Sequence, residues 1–205
     1  PEIEEWKTFE KLKKEREVVG IFISGHPLDD FSLEIENFCY NTTKDLIDLK
    51  KLSERGNKVS LAGIISHVEH RVSKAGKPWG KFTLEDYEGS HEFILFNKDY
   101  IKLKNMINED WFVFVEASVA YNDYRQQVEI KIIDITILPD LIDKKASAIE
   151  IDLDVKNLEE AGIKEIADAL NAPTGKLSVK FKLFDNKTHI GLKSRKKGIQ
   201  INKEV

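Results

Sequence analysis

The stretch from Lys58 to Leu138 constrains this chain most, because alternating apolar residues recur there in one segment after another with turn residues between them. Five segments read as strands: Lys58 to Val72, Trp79 to Asp86, His91 to Phe96, Trp111 to Tyr121 and Gln127 to Leu138. Between the third and fourth, Tyr100, Ile101, Leu103 and Ile107 recur at helical spacing, with Asn97 placed to cap the helix. Gly63 removes a side chain inside the long first segment, where a strand must coil to serve both sides of a small barrel.

Three strands, a helix and two strands is the order of a five-stranded Greek-key OB barrel. Within it, Val59, Leu61 and Ile65 share one face, and Phe82 and Leu84 point inward while Trp79, Lys81 and Thr83 point outward. Phe93, Ile94, Leu95 and Phe96 are apolar on both faces, so parity alone leaves open which ring is exposed.

Residues 1–57 read as a helical connector. Thr8 is placed as an N-cap, and Phe9, Leu12, Arg16 and Val19 form a stripe that Val18, Ile21 and Phe22 widen. Ser24, Gly25, His26 and Pro27 then end the helix, and Leu28, Phe31, Ile35 and Phe38 repeat on one face of the next. Leu46, Ile47, Leu49 and Leu52 make one further short apolar element.

After a linker over residues 139–147, residues 148–205 read as a small α+β domain. It has a strand with Ile149, Ile151 and Leu153, a helix opened by Asn157 and Glu160 at capping-box spacing, and a strand with Leu177, Val179, Phe181 and Leu183. Pro173 and Gly175 lead into that strand, Asp185 and Asn186 turn it into a hairpin, and Ile199 and Ile201 suggest a last edge strand. The expected fold class is therefore multidomain α+β: helical connector, OB-fold barrel over 58–138 and small C-terminal domain.

No apolar run approaches the ~20 residues that span a bilayer, and the acidic, then mixed-charge start is unlike a signal peptide, so the chain reads as cytoplasmic with no membrane partner. Its first residue, Pro1 in place of Met, suggests a piece of a longer protein. Cys39 stands alone, which excludes an internal disulfide and a multi-cysteine zinc site. The net charge of −4 argues against a general polyanion binder, so any nucleic-acid affinity must come from local patches.

Catalysis finds no support in these residues. Glu85, Asp86 and Glu88 are the densest carboxylates, but they sit in a strand-to-strand turn where solvated acids are common. Phosphate-cradling glycine loops are absent, and His26, in a Gly-Pro turn without a second ligand or nucleophile, reads as a turn histidine bonded to backbone. No cofactor and no metal are expected.

OB barrels bind single strands on the face of strands two and three, flanked by the loops after strands one and four. Those elements place Arg71, Lys74, Lys77, Trp79 and Lys81 on one side and Tyr121, Tyr124 and Arg125 on the other. Cations there would neutralise phosphates and rings would stack on unpaired bases. The competing reading makes Trp79 a packing residue and the lysines ordinary solvated charges. A second basic feature comprises Lys187, Lys193, Arg195, Lys196, Lys197 and Lys203, suited to DNA, to an acidic partner or to a solvated strand edge.

The segment EREVVGIFISGHPL, Glu15 to Leu28, resembles a segment of the bacterial replicative DNA polymerase III alpha family, and VSLAGIISHVEHRVSKAGKPWGKFTLEDYEG is similar to that family's OB domain. The last 65 residues correspond by position to the family's carboxy-terminal domain. The resemblance implies a non-catalytic carboxy-terminal region of a DNA-directed DNA polymerase, whose catalytic palm and phosphoesterase-like domain lie upstream. It implies an OB domain contacting single-stranded template DNA, and a terminal domain that meets other replisome subunits, the clamp or the clamp-loader tau subunit. The family's glutamine-and-aromatic clamp-binding signature finds no match here. The alternative is a protein-interaction module that docks clamp or clamp-loader subunits without DNA, and an OB-bearing synthetase fragment stands third.

Overall fold

In the computed structural model, residues 8–20, 22–170, 174–185, 188–194 and 198–199 are described. The chain divides into two compact units, Pro1–Ile142 and Asp143–Val205.

The first unit begins with helix α1, Thr8–Val19, so Thr8 belongs to the helix where a cap is expected. Leu12 is buried, and Phe9 meets Phe112 edge-on at 5.1 Å between ring centroids. The expected stripe ends sooner than its spacing implies, because Val18 and Val19 are exposed and Arg16 turns to the barrel. Ile21 lies outside the described residues. A 3-10 turn at Asp29–Phe31 leads into α2, Ser32–Phe38, whose Phe31, Ile35 and Phe38 pack with buried Leu28, Ala62, Phe114, Leu138 and Leu141. This side cluster fixes the connector against the outside of the barrel. A second 3-10 turn, Thr43–Ile47, precedes α3, Leu49–Arg55, whose N-cap Asp48 accepts from the Lys51 amide. Leu46 and Leu52 enter the main core, but Ile47 is exposed, because the break between the two turns rotates it outward.

The sheet is built from β1 (Lys58–Val72), β2 (Pro78–Glu85), β3 (Ser90–Phe96), β4 (Phe112–Asn122) and β5 (Gln127–Ile137), all antiparallel in the order β3-β2-β1-β4-β5. This is the OB barrel expected from the strand order. Strand β1 pairs with β4 from Lys58 to Ile64 and with β2 from Ile64 to Val72, with a register shift between Ile65 and His67. Gly63 sits at that exchange. A Cβ there would lie 2.5 Å from the Glu85 carbonyl oxygen and 2.8 Å from Leu84 Cγ, so only glycine lets the strands approach so closely. Val59, Leu61, Ile65, Phe82, Leu84, Phe93, Leu95, Val113 and Val115 line the interior.

Helix α4, Asn97–Leu103, closes one end with buried Tyr100 and Leu103. Asn97 is its first residue, not its cap: Phe96 holds the cap position without a side-chain bond, and Asn97 adopts φ 47° to turn the chain out of β3. A 3-10 turn at Leu138–Asp140 and the short α5, Leu141–Lys145, follow β5.

In the second unit, β6 (Ala148–Asp154) and β7 (Thr174–Phe184) are parallel and joined through α6 (Glu160–Ala169), while β8 (His189–Lys193) returns antiparallel to β7. Leu177 and Val179 are buried, and Ile199 pairs with Leu177 through a single bridge. Asn157 does not cap α6. It ends a 3-10 turn, donating to Asp154 Oδ2, and Glu159 takes the cap position. Pro173, Asn186, Ile201 and five of the six cations of the terminal basic feature, Lys187, Arg195, Lys196, Lys197 and Lys203, lie outside the described residues.

Candidate nucleic-acid interface

Register on β1, β2 and β3 places nine outward side chains in a grid. Arg71, Trp79 and Phe96 form one row, Glu69, Lys81 and Ile94 the next, and His67, Thr83 and Glu92 the third. The opposite parity is inward, with Val68, Phe82 and Phe93 facing the core and Gly80 pressed against Tyr100. The two faces therefore follow from the strand period of two.

Trp79 and Phe96 stack with centroids 6.2 Å apart and planes at 28°. Phe96 is half exposed, and Ile94 beside it is 47% exposed. These two residues answer the question that parity left open on β3. A wet aromatic pair flanked by cations is a surface on which unpaired bases can stack.

The cations differ in how they are held. Arg71 Nη2 lies 2.6 Å from Glu69 Oε2, and Lys81 Nζ lies 2.8 Å from Glu92 Oε2 and 3.3 Å from Glu69 Oε1. These partners, Arg71 above all, hold the Glu69 carboxyl down at about 2. Arg125 Nη1 lies 2.9 Å from Glu129 Oε1. Lys74 and Lys77 are exposed in the tight β1–β2 loop and have no acidic partner among the described residues. That loop closes on itself: Ser73 N–H donates to Lys77 O, Gly76 N–H to Ser73 O, and Gly76 takes φ 74°.

Strands β3 and β5 are the two sheet edges, and between them runs a cleft of about 670 Å³. Ile94 and Phe96 line it from β3, and Tyr124 and Arg125 line it from the β4–β5 loop, so the cleft continues the outer face toward that loop. Strand β4 includes Tyr121, as its expected bounds have it, and runs one residue further to Asn122, which shortens the loop. Asn122 Oδ1 accepts from the Tyr124 and Arg125 amides, and Tyr124 is 95% exposed. Tyr121 does not line the cleft; its hydroxyl donates to Gln126 Oε1. Thus Arg71, Trp79 and Lys81 share one face with the Lys74 and Lys77 loop at its end, Tyr124 and Arg125 stand across the cleft, and Tyr121 stands apart. Sequence reasoning missed Phe96, Ile94 and the carboxylates Glu69, Glu92 and Glu129. The Trp79–Phe96 register would have exposed Phe96, whereas which cation each carboxylate holds follows from the structure alone.

The acidic turn after β2 has a structural use. Asp86 accepts from Thr43 N–H at 2.6 Å, Thr43 Oγ1 at 2.7 Å, Glu88 N–H at 2.9 Å and Gly89 N–H at 3.1 Å. Glu85 pairs with Arg16 at 2.7 Å and Glu88 with Lys44 at 3.2 Å. All three carboxylates thus tie the connector to the barrel. Among the described residues no group of three His, Cys, Asp or Glu could hold a metal ion. His26 accepts at Nδ1 from the Leu28 amide and packs on Tyr87, whose hydroxyl donates to Asp29. Cys39 is half-buried, and burial pushes its thiol up to about 12. Among the described residues no helix is long and apolar enough to cross a membrane.

Comparison with known proteins finds two family models and several relatives. The family described as "OB-fold nucleic acid binding domain" matches residues 59–138, and "DNA polymerase III alpha subunit, C-terminal domain" matches residues 149–205. DNA polymerase III subunit alpha of Mycobacterium tuberculosis (strain H37Rv) is 33% identical over 122 residues, 60% of this chain and 10% of that protein. The subunit of the same name from Escherichia coli (strain K12) is 24% identical over 167 residues, 80% of this chain and 14% of that protein. The chain therefore spans between a tenth and a seventh of the length of these relatives. Among solved structures, the mitochondrial single-stranded DNA binding protein Rim1 of S. cerevisiae is 22% identical, covering 40% of this chain and 94% of its own, with a TM-score of 0.29.

Proposed function

Because the chain belongs to the DNA polymerase III alpha subunit family, matching its carboxy-terminal part, we propose that it is a non-catalytic region of a replicative DNA polymerase whose OB barrel holds single-stranded template. In this reading Trp79 and Phe96 stack on bases, Lys74 and Lys77 meet phosphates, and Tyr124 with Arg125 guides the strand along the cleft between β3 and β5. Arg71 and Lys81 border the stacked rings. Tyr121 braces the β4–β5 loop through Gln126. The observation that carries the reading is the Trp79–Phe96 stack on the outer face, its Phe96 half exposed, with two lysines at its end that have no acidic partner among the described residues. The protein works in the cytoplasm, needs no cofactor in this region, and uses its terminal domain to dock other replisome subunits, the clamp or clamp-loader tau.

Amide hydrogen exchange with and without oligo(dT) tests this assignment. Protection should rise in Ser73–Lys77, Ser90–Phe96 and Asn122–Gln126. Protection confined to the second unit, or absent at low salt, would refute it.

A second reading, protein docking without DNA, draws on the ion pairs that leave much of the face neutral. Capture of clamp-loader or clamp proteins by this chain in nuclease-treated solution, with no oligonucleotide affinity, would favour it.

A further inference from the structure

Glu69 occupies the centre of the cationic part of the face. Its Oε2 accepts from the Arg71 guanidinium at both Nε, 2.7 Å, and Nη2, 2.6 Å, while Oε1 lies 3.3 Å from Lys81 Nζ and 3.4 Å from His67 Nε2. Two anionic oxygens gathering a guanidinium and an ammonium beside an aromatic stack is the arrangement that a phosphodiester's two non-bridging oxygens would make. The position follows from the fold. Arg71 lies two residues on along the same face of β1, and Lys81 is the direct cross-strand partner of Glu69 on β2.

We propose that Glu69 is an internal competitor of the DNA phosphate, holding Arg71, and sharing Lys81 with Glu92, in place of the backbone and so setting the single-strand affinity low. This rests on the nucleic-acid reading above and adds what limits that binding. A strand arriving on Trp79 and Phe96 meets Lys74 and Lys77 as cations with no acidic partner among the described residues. To recruit Arg71 it must displace the Glu69 carboxylate, which stays ionised through the physiological range because its partners hold its pKa near 2, and Lys81 is held by Glu92 as well. Affinity that is deliberately modest lets the barrel release template as the enzyme advances. The opposite role, Glu69 as a brace that orients the two cations for DNA, predicts an effect of opposite sign.

The test is titration of fluorescein-labelled oligo(dT) with this chain and with its Glu69→Gln and Glu54→Gln variants across a salt series. Glu54 is exposed on α3 and carries the same charge change away from the face. Glu69→Gln should bind about two- to fivefold more tightly at low salt, the scale of freeing one exposed ion pair, since Glu92 still holds Lys81. Its slope of log affinity against log salt should steepen from about −1.4, for two single-strand phosphate contacts, to about −2.1, for three. Glu54→Gln should stay within about twofold of wild type, the small effect expected of a charge well beyond the face at moderate salt. Equal affinity and slope in Glu69→Gln and wild type, weaker binding by Glu69→Gln, or an equal gain in Glu54→Gln would overturn the inference while leaving the nucleic-acid reading standing. Absence of binding by all three proteins would overturn that reading and this inference with it.

Discussion

Trp79 and Phe96 are direct cross-strand partners whose rings stack on the outer face of the barrel, 6.2 Å between centroids. Phe96 is half exposed and borders an open cleft. Phe96→Ala should lower single-strand affinity about fivefold to a hundredfold, corresponding to ~1–3 kcal/mol for one lost base stack. Because the side chain is half exposed, the variant should keep its urea midpoint within the spread of surface substitutions, ~0.5 kcal/mol. Anisotropy titration and urea unfolding together separate loss of binding from loss of fold.

Lys74 and Lys77 supply charge without geometry, since neither has a fixed partner among the described residues. Replacing both by Ala should weaken binding to every sequence equally and flatten the salt slope by about 1.4. A loss confined to particular base sequences would show that the loop reads bases, contrary to this account.

Asp86 is buried and accepts four hydrogen bonds, two from Thr43 of the connector and two from its own turn. Asp86→Ala strands those donors and should lower stability by about 2–3 kcal/mol, read as a shifted urea midpoint with an unchanged m-value. Asp86→Asn keeps the acceptor for the turn but turns an amide donor toward Thr43 N–H, and should cost about 1 kcal/mol. Equal midpoints for Asp86→Ala and wild type would show that the connector is held by its apolar cluster alone.

Much of this was legible before any coordinates. Strand order, the two edges of β1 and the inward set Phe82 and Leu84 follow from alternation, because a half-buried strand repeats every two residues. The apolar face Leu28, Phe31, Ile35 and Phe38 was legible for the same reason, at helical period. Asn97 and Asn157 were misleading, since an asparagine before an apolar run can equally start the helix in a left-handed turn or finish a preceding 3-10 turn. The site was half legible. Residue type located Trp79 and the loop lysines, but Phe96 needed the β2–β3 register, and no periodicity says that Glu69 neutralises Arg71.

His26 and His91 are both partly buried, and that burial lowers their pKa values. For His26 the nearby Asp29, Glu85 and Asp86 oppose the shift and Arg16 adds to it; for His91 Glu92 opposes it. The folded state therefore binds fewer protons than the unfolded chain below the ordinary histidine value near 6.5. Stability should be level above about pH 6.5 and fall as pH drops from there toward the folded pKa values. In urea at pH 7, 6 and 5, the midpoint of His26→Ala should fall less steeply than that of wild type. A parallel fall would assign the pH dependence to other groups.

The central claim is that the barrel's outer face binds unpaired nucleic acid through stacked rings. Its most direct test is titration of labelled oligo(dT) and a duplex of equal length with wild type and Trp79→Ala at about 50 mM and 200 mM salt. The account predicts that wild type prefers the single strand, that its affinity falls about sevenfold between the two salts for a slope of about −1.4, and that Trp79→Ala loses most of the single-strand preference. No single-strand affinity at the lower salt, or equal binding by wild type and Trp79→Ala, would contradict it.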